Sequence, residues 1–297
     1  MPGPEARRRP AAARVDAHQH LWDPAVRHHG WLQEPEMGRI RRRFGVDELA
    51  RVAGAAGIDR TVLVQVLPDL QETAELLTLA AGCPLIGGVV GWVDLTRPDV
   101  GGVLAALGQG PGGDRLVGVR HLVQSEPDPG WLLRSEVVCG LRAIGAAGRS
   151  YDLLTLPAQL PAAIQVVRQV PETTFVLDHL SKPPIASGAL EPWATRIREL
   201  AGEPNVYCKL SGMVTEADHA SWTVAGLRPY AETALEAFGP ARVMFGSDWP
   251  VCLLAASYGE VVAAAEELLA GLPAAERDQV LGGTAARAYR LAGPGRS

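Results

Sequence analysis

Eight short apolar runs recur along this chain at a spacing that few architectures accept: residues 15–20, 61–66, 85–93, 116–123, 151–155, 174–180, 206–210 and 243–245. Between most of them lie stretches with apolar residues at helical spacing, over 46–56, 73–81, 132–147, 160–170, 193–200 and 229–238. Strand alternating with helix predicts a parallel sheet, and eight repeats in about 250 residues are the count and length of a (β/α)8 barrel. The first helical stretch carries Leu49, Val52 and Ala56 on one face, and Gly57 is placed to end it. After the last strand, 261–269 and a run from Pro273 to Leu281 read as helices that close the barrel. Residues 108–114 read as a loop too short to separate domains. One barrel over 14–292 is therefore expected, after a disordered Arg-, Pro- and Ala-rich tail over 1–13.

A chain of 297 residues with 47% hydrophobic content can bury the core that such a barrel needs. The net charge is -5 and most basic residues are dispersed, so nucleic acid is not an expected partner. No apolar run approaches the roughly 20 residues needed to span a bilayer, so no membrane is expected either. The four cysteines, Cys83, Cys139, Cys208 and Cys252, lack C-x-x-C spacing and sit in apolar surroundings, which predicts buried, reduced thiols in a cytoplasmic protein. The N-terminal stretch lacks the apolar centre of a secretory signal; an organellar presequence is the weaker alternative.

Barrel enzymes build their sites at the C-terminal ends of the strands, and the chain's chemistry falls there. The first run ends Asp16-Ala17-His18-Gln19-His20 and the last leads into Gly246-Ser247-Asp248-Trp249-Pro250. Alternation puts His18 and His20 on one face, with Asp16 one step deeper as a buried supporting partner. His179 ends another run, so four of the seven histidines, His18, His20, His121 and His179, lie at strand ends with Asp248. Taken singly, a His-x-His pair is as often structural and Gly-Ser-Asp-Trp-Pro could be a plain turn; their co-occurrence points to chemistry. Imidazoles gathered with a carboxylate can hold a metal or polarise a carbonyl, the carboxylate taking a proton from water.

Around this group, Arg120 can bind a substrate carboxylate or hydroxyl, or ion-pair with Asp152 or Asp178. Lys182 can reach substrate from a loop or remain a solvated charge, and His121 is a further binding candidate. Trp22, Trp31, Trp92 and Trp249 lie near strand ends, where aromatic faces suit sugar rings, Trp31 and Trp249 being the binding candidates. Lys209 and Ser211 alternate with Cys208 and Leu210, and Lys209 is expected to face inward as a structural residue.

Five segments together resemble the amidohydrolase superfamily: Asp-Ala-His-Gln-His-Leu-Trp-Asp at 16–23, Gly-Val-Arg-His at 118–121, Val-Leu-Asp-His-Leu-Ser-Lys-Pro-Pro-Ile at 176–185, Cys-Lys-Leu-Ser-Gly at 208–212 and Met-Phe-Gly-Ser-Asp-Trp-Pro-Val-Cys at 244–252. Within it they are similar to the sugar-lactone branch, the L-fuconolactonase and L-rhamnonolactonase-like hydrolases. The resemblance implies a (β/α)8 barrel in which Asp248 is general base on the attacking water. Dinuclear members carry a carboxylated lysine at the end of strand four, where this chain reads Val119-Arg120-His121, so two metals are not expected. His18, His20, His179 and Asp248 would suffice for one Zn²⁺. Lactonase relatives are also implied to include metal-independent enzymes, in which the histidines donate hydrogen bonds to the lactone carbonyl; such preorganised donors suit an activated ester.

The leading expectation is a hydrolase that opens a sugar-acid lactone, a small-molecule partner, with one divalent metal or none. A metal-dependent decarboxylase using a similar residue set and a non-catalytic binding barrel are the alternatives. Uncompensated burial of four polar strand-end groups argues against the latter. Loops 23–43 and 250–259 are expected to select the substrate.

Overall fold

The eight apolar runs become eight parallel strands hydrogen-bonded in chain order, in a computed structural model that describes residues 13–292. The expected tail over 1–13 therefore lies, Ala13 apart, outside the described residues. The strands are β1 Val15–Gln19, β2 Arg60–Val64, β3 Ile86–Gly91, β4 Leu116–His121, β5 Ser150–Leu153, β6 Thr174–Leu177, β7 Val206–Leu210 and β8 Val243–Phe245. The ring closes just past β8, where His20 N donates to Trp249 O at 2.7 Å and Asp248 N donates to His18 O at 2.8 Å. The sheet is thus a single-domain (β/α)8 barrel, the TIM barrel architecture.

Helices α1 Val46–Ala55, α2 Leu70–Ala81, α3 Val100–Gln109, α4 Ser135–Ala146, α5 Leu160–Gln169, α6 Trp193–Ala201, α7 Met213–Glu216, α8 Val224–Phe238 and α9 Tyr258–Leu268 fill the connections after the strands. α10 Ala274–Asp278 and α11 Thr284–Ala288 follow, joined by a π-helical turn over Gln279–Gly283. α3 is a correction, since no helix was expected there and Gly108 was assigned to a loop. Its three glycines each cost about 1 kcal/mol of helix propensity, and burial of Val100 and Leu104 overrides them. α8 starts five residues before Pro229, because the Thr223 hydroxyl accepts a hydrogen bond from Gly226 N at 3.2 Å and sets the cap.

Two apolar cores result. One lies between strands and helices; the other lies inside the barrel, where Val62, Val64, Val90, Val176 and Met244 pack with Ala285, Ala288 and Tyr289. Ser150 at the start of β5 donates to Ala288 O at 2.8 Å, so α11 plugs the N-terminal end of the barrel. The opposite end is left for chemistry. The cysteines are not uniformly buried as expected: Cys139 is exposed on the solvent side of α4 and Cys83 is half-buried, while Cys208 and Cys252 are buried. Among the described residues, no helix is long and apolar enough to cross a membrane.

The long loop after β1 is tied down by aromatic packing. Trp22 and Phe44 exchange backbone hydrogen bonds at 3.3 and 2.8 Å, closing the loop at its base. The Phe44 ring meets Trp22 edge-on at 5.5 Å and Trp249 at 5.3 Å, which joins this loop to the one after β8. Phe44→Ala should therefore lower stability by about 3–5 kcal/mol in urea denaturation, and a loss below about 1 kcal/mol would remove this packing from the account.

Candidate active site

The seam that closes the barrel also brings the first and last strand ends together, and with them the chemistry-bearing side chains. Asp248 Oδ1 lies 3.5 Å from His20 Nε2, 3.8 Å from His18 Nε2 and 3.9 Å from His179 Nε2. Two motif glycines make room for this convergence. A Cβ on Gly246 would lie 2.8 Å from the Cβ of His18, and one on Gly212, whose φ is +66°, would lie 2.7 Å from His179 Nδ1. His179 and Asp248 themselves have left-handed backbones, with φ of 51° and 56°.

Each ring is held by a different partner. His20 Nδ1 lies 2.8 Å from Val64 O, a pure acceptor, so this nitrogen carries the hydrogen and Nε2 keeps its lone pair. His179 Nδ1 lies 2.8 Å from Ser211 Oγ. His18 Nδ1 faces Lys209 Nζ at 3.1 Å and Asp178 Oδ1 at 3.3 Å. Lys209 in turn contacts Asp152 Oδ2 at 2.6 Å and Asp178 Oδ1 at 2.9 Å. Lys209 and Ser211 thus both face the site, whereas Cys208 and Leu210 pack in the outer core.

Above these groups opens a cavity of about 300 Å³, lined by His20, His179, Asp248, Arg120 and Lys182 on its polar side. Trp22, Trp31, Met37, Val66, Leu122, Leu154 and Val251 form much of the rest, with Gln124 and Ser125. Trp31 and Met37 come from the loop after β1 and Val251 from the loop after β8. The segment after β4 contributes equally, and the sequence carried no sign of it.

The structure does not bring every candidate to this cavity. His18 is fully buried and lies beneath His20 and His179, with ring centroids 4.8 and 4.3 Å away. Trp249 is 1% exposed, packed on Phe44 rather than open to ligand. His121 accepts a hydrogen bond from Trp92 Nε1 at 3.1 Å, meets Glu126 Oε1 at 2.8 Å and stacks on Trp131, so it braces the segment after β4. Arg120 makes one of the anticipated ion pairs and also lines the cavity: Nη1 donates to Asp178 Oδ2 at 3.1 Å and Nη2 to Gln65 O at 2.5 Å. Lys182 reaches the cavity and pairs with Glu216 at 3.4 Å.

Asp16 is buried, as expected, but supports the backbone of the seam and not the His18 ring: it accepts from His18 N at 3.1 Å, Ser247 N at 2.8 Å, Ser247 Oγ at 2.6 Å and Tyr258 OH at 3.0 Å. The register of β1 on β2 shifts between Asp16 and Gln19, three residues on β1 facing two on β2, which breaks the alternation that would put Asp16 and His18 on one face. Asp152 and Asp178 stand out in the sequence only as possible partners of Arg120, and nothing there marks Tyr289, yet the three set the floor: Tyr289 OH donates to Asp152 Oδ2 at 2.7 Å from below.

Charge states follow from burial and partners. Burial pushes the Asp248 carboxyl up, and the imidazoles of His179, His20 and His18 outweigh it, leaving its pKa below the usual carboxylate range. The pull of His179 acts only while that ring is protonated. Burial drives the His179 pKa down to about 4, against Asp248 and Asp178. Burial and then Lys209 hold that of His18 well below its usual value. Asp178 is buried, which raises its pKa, but Lys209, His18 and Arg120 hold it well below the usual range; burial pushes Asp152 up to about 6.

Residues 15–291 match the amidohydrolase family, and the chain belongs to it. It is 39% identical to an L-fucono-1,5-lactonase of Burkholderia multivorans, over 95% of this chain and 98% of that one. It is 36% identical to an L-fucono-1,5-lactonase of Burkholderia ambifaria, over 95% and 97%. A solved amidohydrolase of Burkholderia multivorans with bound zinc superposes with a TM-score of 0.89 at 39% identity, over 95% of this chain and all of that one.

A histidine whose folded pKa is depressed binds its proton less readily than the unfolded chain does. For His179 the stability gained is complete above the unfolded value near 6.5 and lost as pH falls towards about 4. In chelator-treated protein, urea denaturation at stepped pH should show stability falling across this window by up to about 1.4 kcal/mol per pH unit for each such histidine. A flat profile there would contradict burial of these rings in the neutral form.

Proposed function

We propose that this protein is a lactonase that opens the ring of a sugar-acid lactone by attack of water on the ring carbonyl. The observation that carries the proposal is the approach of an ionised Asp248 and three imidazole Nε2 atoms within 3.9 Å of it, on the floor of a cavity about 300 Å³ in volume. That volume is at the small end of ligand pockets. In this reading Asp248 takes the proton of the attacking water. His20 and His179, which reach the cavity, stand at the reacting carbonyl, with His18 supporting them from beneath.

The Ser211 hydroxyl has His179 Nδ1 at hydrogen-bond distance, and donating to it leaves the hydrogen of His179 on Nε2. His179 then meets the developing oxyanion as a donor, while the His20 lone pair and Asp248 receive the water. Trp31 and the apolar wall offer the face of a sugar ring a surface, and Arg120 and Lys182 offer its hydroxyls donors. Two relatives named for L-fucono-1,5-lactone, alike over nearly their whole length, support a lactone over the aromatic acid of a decarboxylase. Four free cysteines accord with a cytoplasmic setting.

One zinc is compatible with the donor set. His18, His20 and Asp248 bring ligand atoms within 4.8 Å of one another, and His179 Nε2 lies 3.9 Å from the same carboxylate, free to ligate when the Ser211 hydroxyl accepts from Nδ1 instead of donating; these are the residues that would hold it. A bound zinc would polarise the carbonyl oxygen or acidify water. Elemental analysis should find at most about one equivalent per chain, released as the ligands protonate on acidification. Two tightly held equivalents would overturn the argument from the missing strand-four lysine.

The direct test is turnover of a panel of aldonolactones, read by acid release. Asp248→Asn retains shape and hydrogen bonding but removes the proton acceptor, so turnover should drop by about 10²–10⁴-fold in a protein of unchanged fold. Near-normal turnover in that variant would end the role given to Asp248, and no turnover of any lactone by the native protein would end the lactonase reading.

A further inference from the structure

Where the chain leaves β2, a buried carboxylate takes over from the sheet. The ladder runs one residue past the strand, to Gln65, whose N–H donates to Val90 O at 2.8 Å. The next two amides lie beyond it, and both donate to Glu72 Oε2, Val66 N at 3.0 Å and Leu67 N at 2.9 Å. Glu72 stands in the first turn of α2, a helix capped by Asp69, which accepts from Gln71 N at 2.8 Å. It is 5% exposed. Burying a carboxylate is costly, and two backbone donors together with the positive end of a helix offset that cost.

The consequence lies at the other end of one peptide unit. The Val66 N–H and the Gln65 carbonyl belong to the same planar group and point in opposite directions, so fixing one fixes the other. Gln65 O accepts from Arg120 Nη2 at 2.5 Å, and Gln65 Nε2 donates back to Arg120 O at 3.2 Å. On its far side the guanidinium donates from Nη1 to Asp178 Oδ2 at 3.1 Å and meets His18 Nε2 at 3.3 Å. Its Nε is buried without a partner among the described residues. Arg120 is therefore aimed from two sides, by Asp178 and His18 on one and by a carbonyl whose plane Glu72 sets on the other. Val66, held by the same bond, lines the cavity with Arg120.

We infer that Glu72 is a positioning residue: acting through the peptide between Gln65 and Val66, it holds Arg120 and the Val66 wall where they meet substrate. That Arg120 meets substrate rests on the lactonase reading, whereas the link from Glu72 to Arg120 stands on geometry. His20 is spared, because its partner Val64 O belongs to a residue paired within the ladder of β2 on β3. The effect should thus fall on binding and leave the chemical step. Two cations face the carboxylate: Arg120, and Arg27 from the loop after β1, itself paired with Asp69 and Glu75. Burial outweighs these cations and the two amides and raises the Glu72 pKa to about 7. The carboxylate is mostly ionised above that value and mostly protonated below it.

The test compares Glu72→Leu, which removes the acceptor, with Glu72→Gln, which keeps an acceptor oxygen without the charge. With a lactone that the native protein hydrolyses, at pH 8, Glu72→Leu should raise KM by about tenfold or more with kcat within about threefold, and Glu72→Gln should recover most of the loss. The ratio of KM in Glu72→Gln to native KM should be near one at pH 6 and rise to about threefold at pH 8, titrations common to both proteins cancelling. A readout free of turnover is the arginine side-chain ¹H–¹⁵N spectrum of the full-length protein, with Arg120 assigned by its absence in Arg120→Lys. Rotation about the Arg120 Nε–Cζ bond should quicken by about tenfold in Glu72→Leu, and by less in Glu72→Gln and in the native protein at pH 6. Unchanged KM and unchanged Arg120 rotation in folded Glu72→Leu overturn the inference, as does a loss carried by kcat alone. If Glu72→Leu does not fold, Glu72→Gln and the native protein at the two pH values decide, and a ratio and rotation that do not vary with pH overturn it. A protein that hydrolyses no lactone, yet whose Arg120 is freed on loss of Glu72, would end the lactonase reading and leave the link in place.

Discussion

Two backbone hydrogen bonds between the end of β1 and the segment after β8 carry more of this structure than their number suggests. His20 N to Trp249 O and Asp248 N to His18 O turn an eight-stranded sheet into a barrel. The same bonds set the spacing between the His-x-His pair and Asp248, which lie over two hundred residues apart in the chain. Closure of the fold and assembly of the site are therefore one event. A change that opens the seam separates Asp248 from His18 and His20, while His179, which follows β6, stays on the other side of the break. This explains why aromatic packing is concentrated here: Phe44 wedges between Trp22 and Trp249 and ties both flanking loops to the seam.

Beneath the seam, buried charges are balanced in sign. Lys209 and Arg120 stand against Asp152 and Asp178, all nearly or fully inaccessible. Removing such charges from water costs several kcal/mol per ion, and only close pairing offsets it, so the group is poor evidence for stability and better evidence for fixed geometry. Deleting one member would leave an uncompensated charge in the barrel. Tyr289 extends the group downward by donating to Asp152, so the C-terminal plug and the floor of the site are mechanically continuous.

Much of this was legible in the sequence because it rests on local chemistry. All eight strands follow from short apolar runs bounded by turns, and the histidine pair, His179 and Asp248 announce themselves by residue type at strand ends. What failed depended on information no local pattern holds. α3 was missed because its glycines erase helical propensity, while tertiary burial of Val100 and Leu104 restores it. Trp249 and His121 sit at strand ends as expected, but whether a strand-end side chain turns to the cavity or to its neighbours is decided by the loops packed on it. Here Phe44 takes one, and Trp92 with Glu126 the other. Asp16 was misplaced by a single extra residue in the register of β1, enough to reverse which face follows.

The backbone at the site departs from what its residue types prefer. His179, Leu180, Ser181 and Lys182 run consecutively through left-handed conformations, and Asp248 adopts one alone. For residues with a Cβ this costs roughly 1–2 kcal/mol each, and it persists only where neighbours over-determine it. They do so here: Trp193 Nε1 donates to Leu180 O at 2.7 Å, Ser181 Oγ meets Thr155 Oγ1 at 2.8 Å, and Cys252 N holds Asp248 O at 2.9 Å. A right-handed continuation would carry these side chains away along the strand axis, whereas the reversed turn folds His179 and Asp248 back over the barrel mouth, towards each other. The local cost is thus borne in the two turns that carry His179 and Asp248. It leaves an imidazole and a carboxylate side by side at the barrel mouth, held there by the backbone before any ligand arrives, the kind of preorganisation the proposed reaction requires.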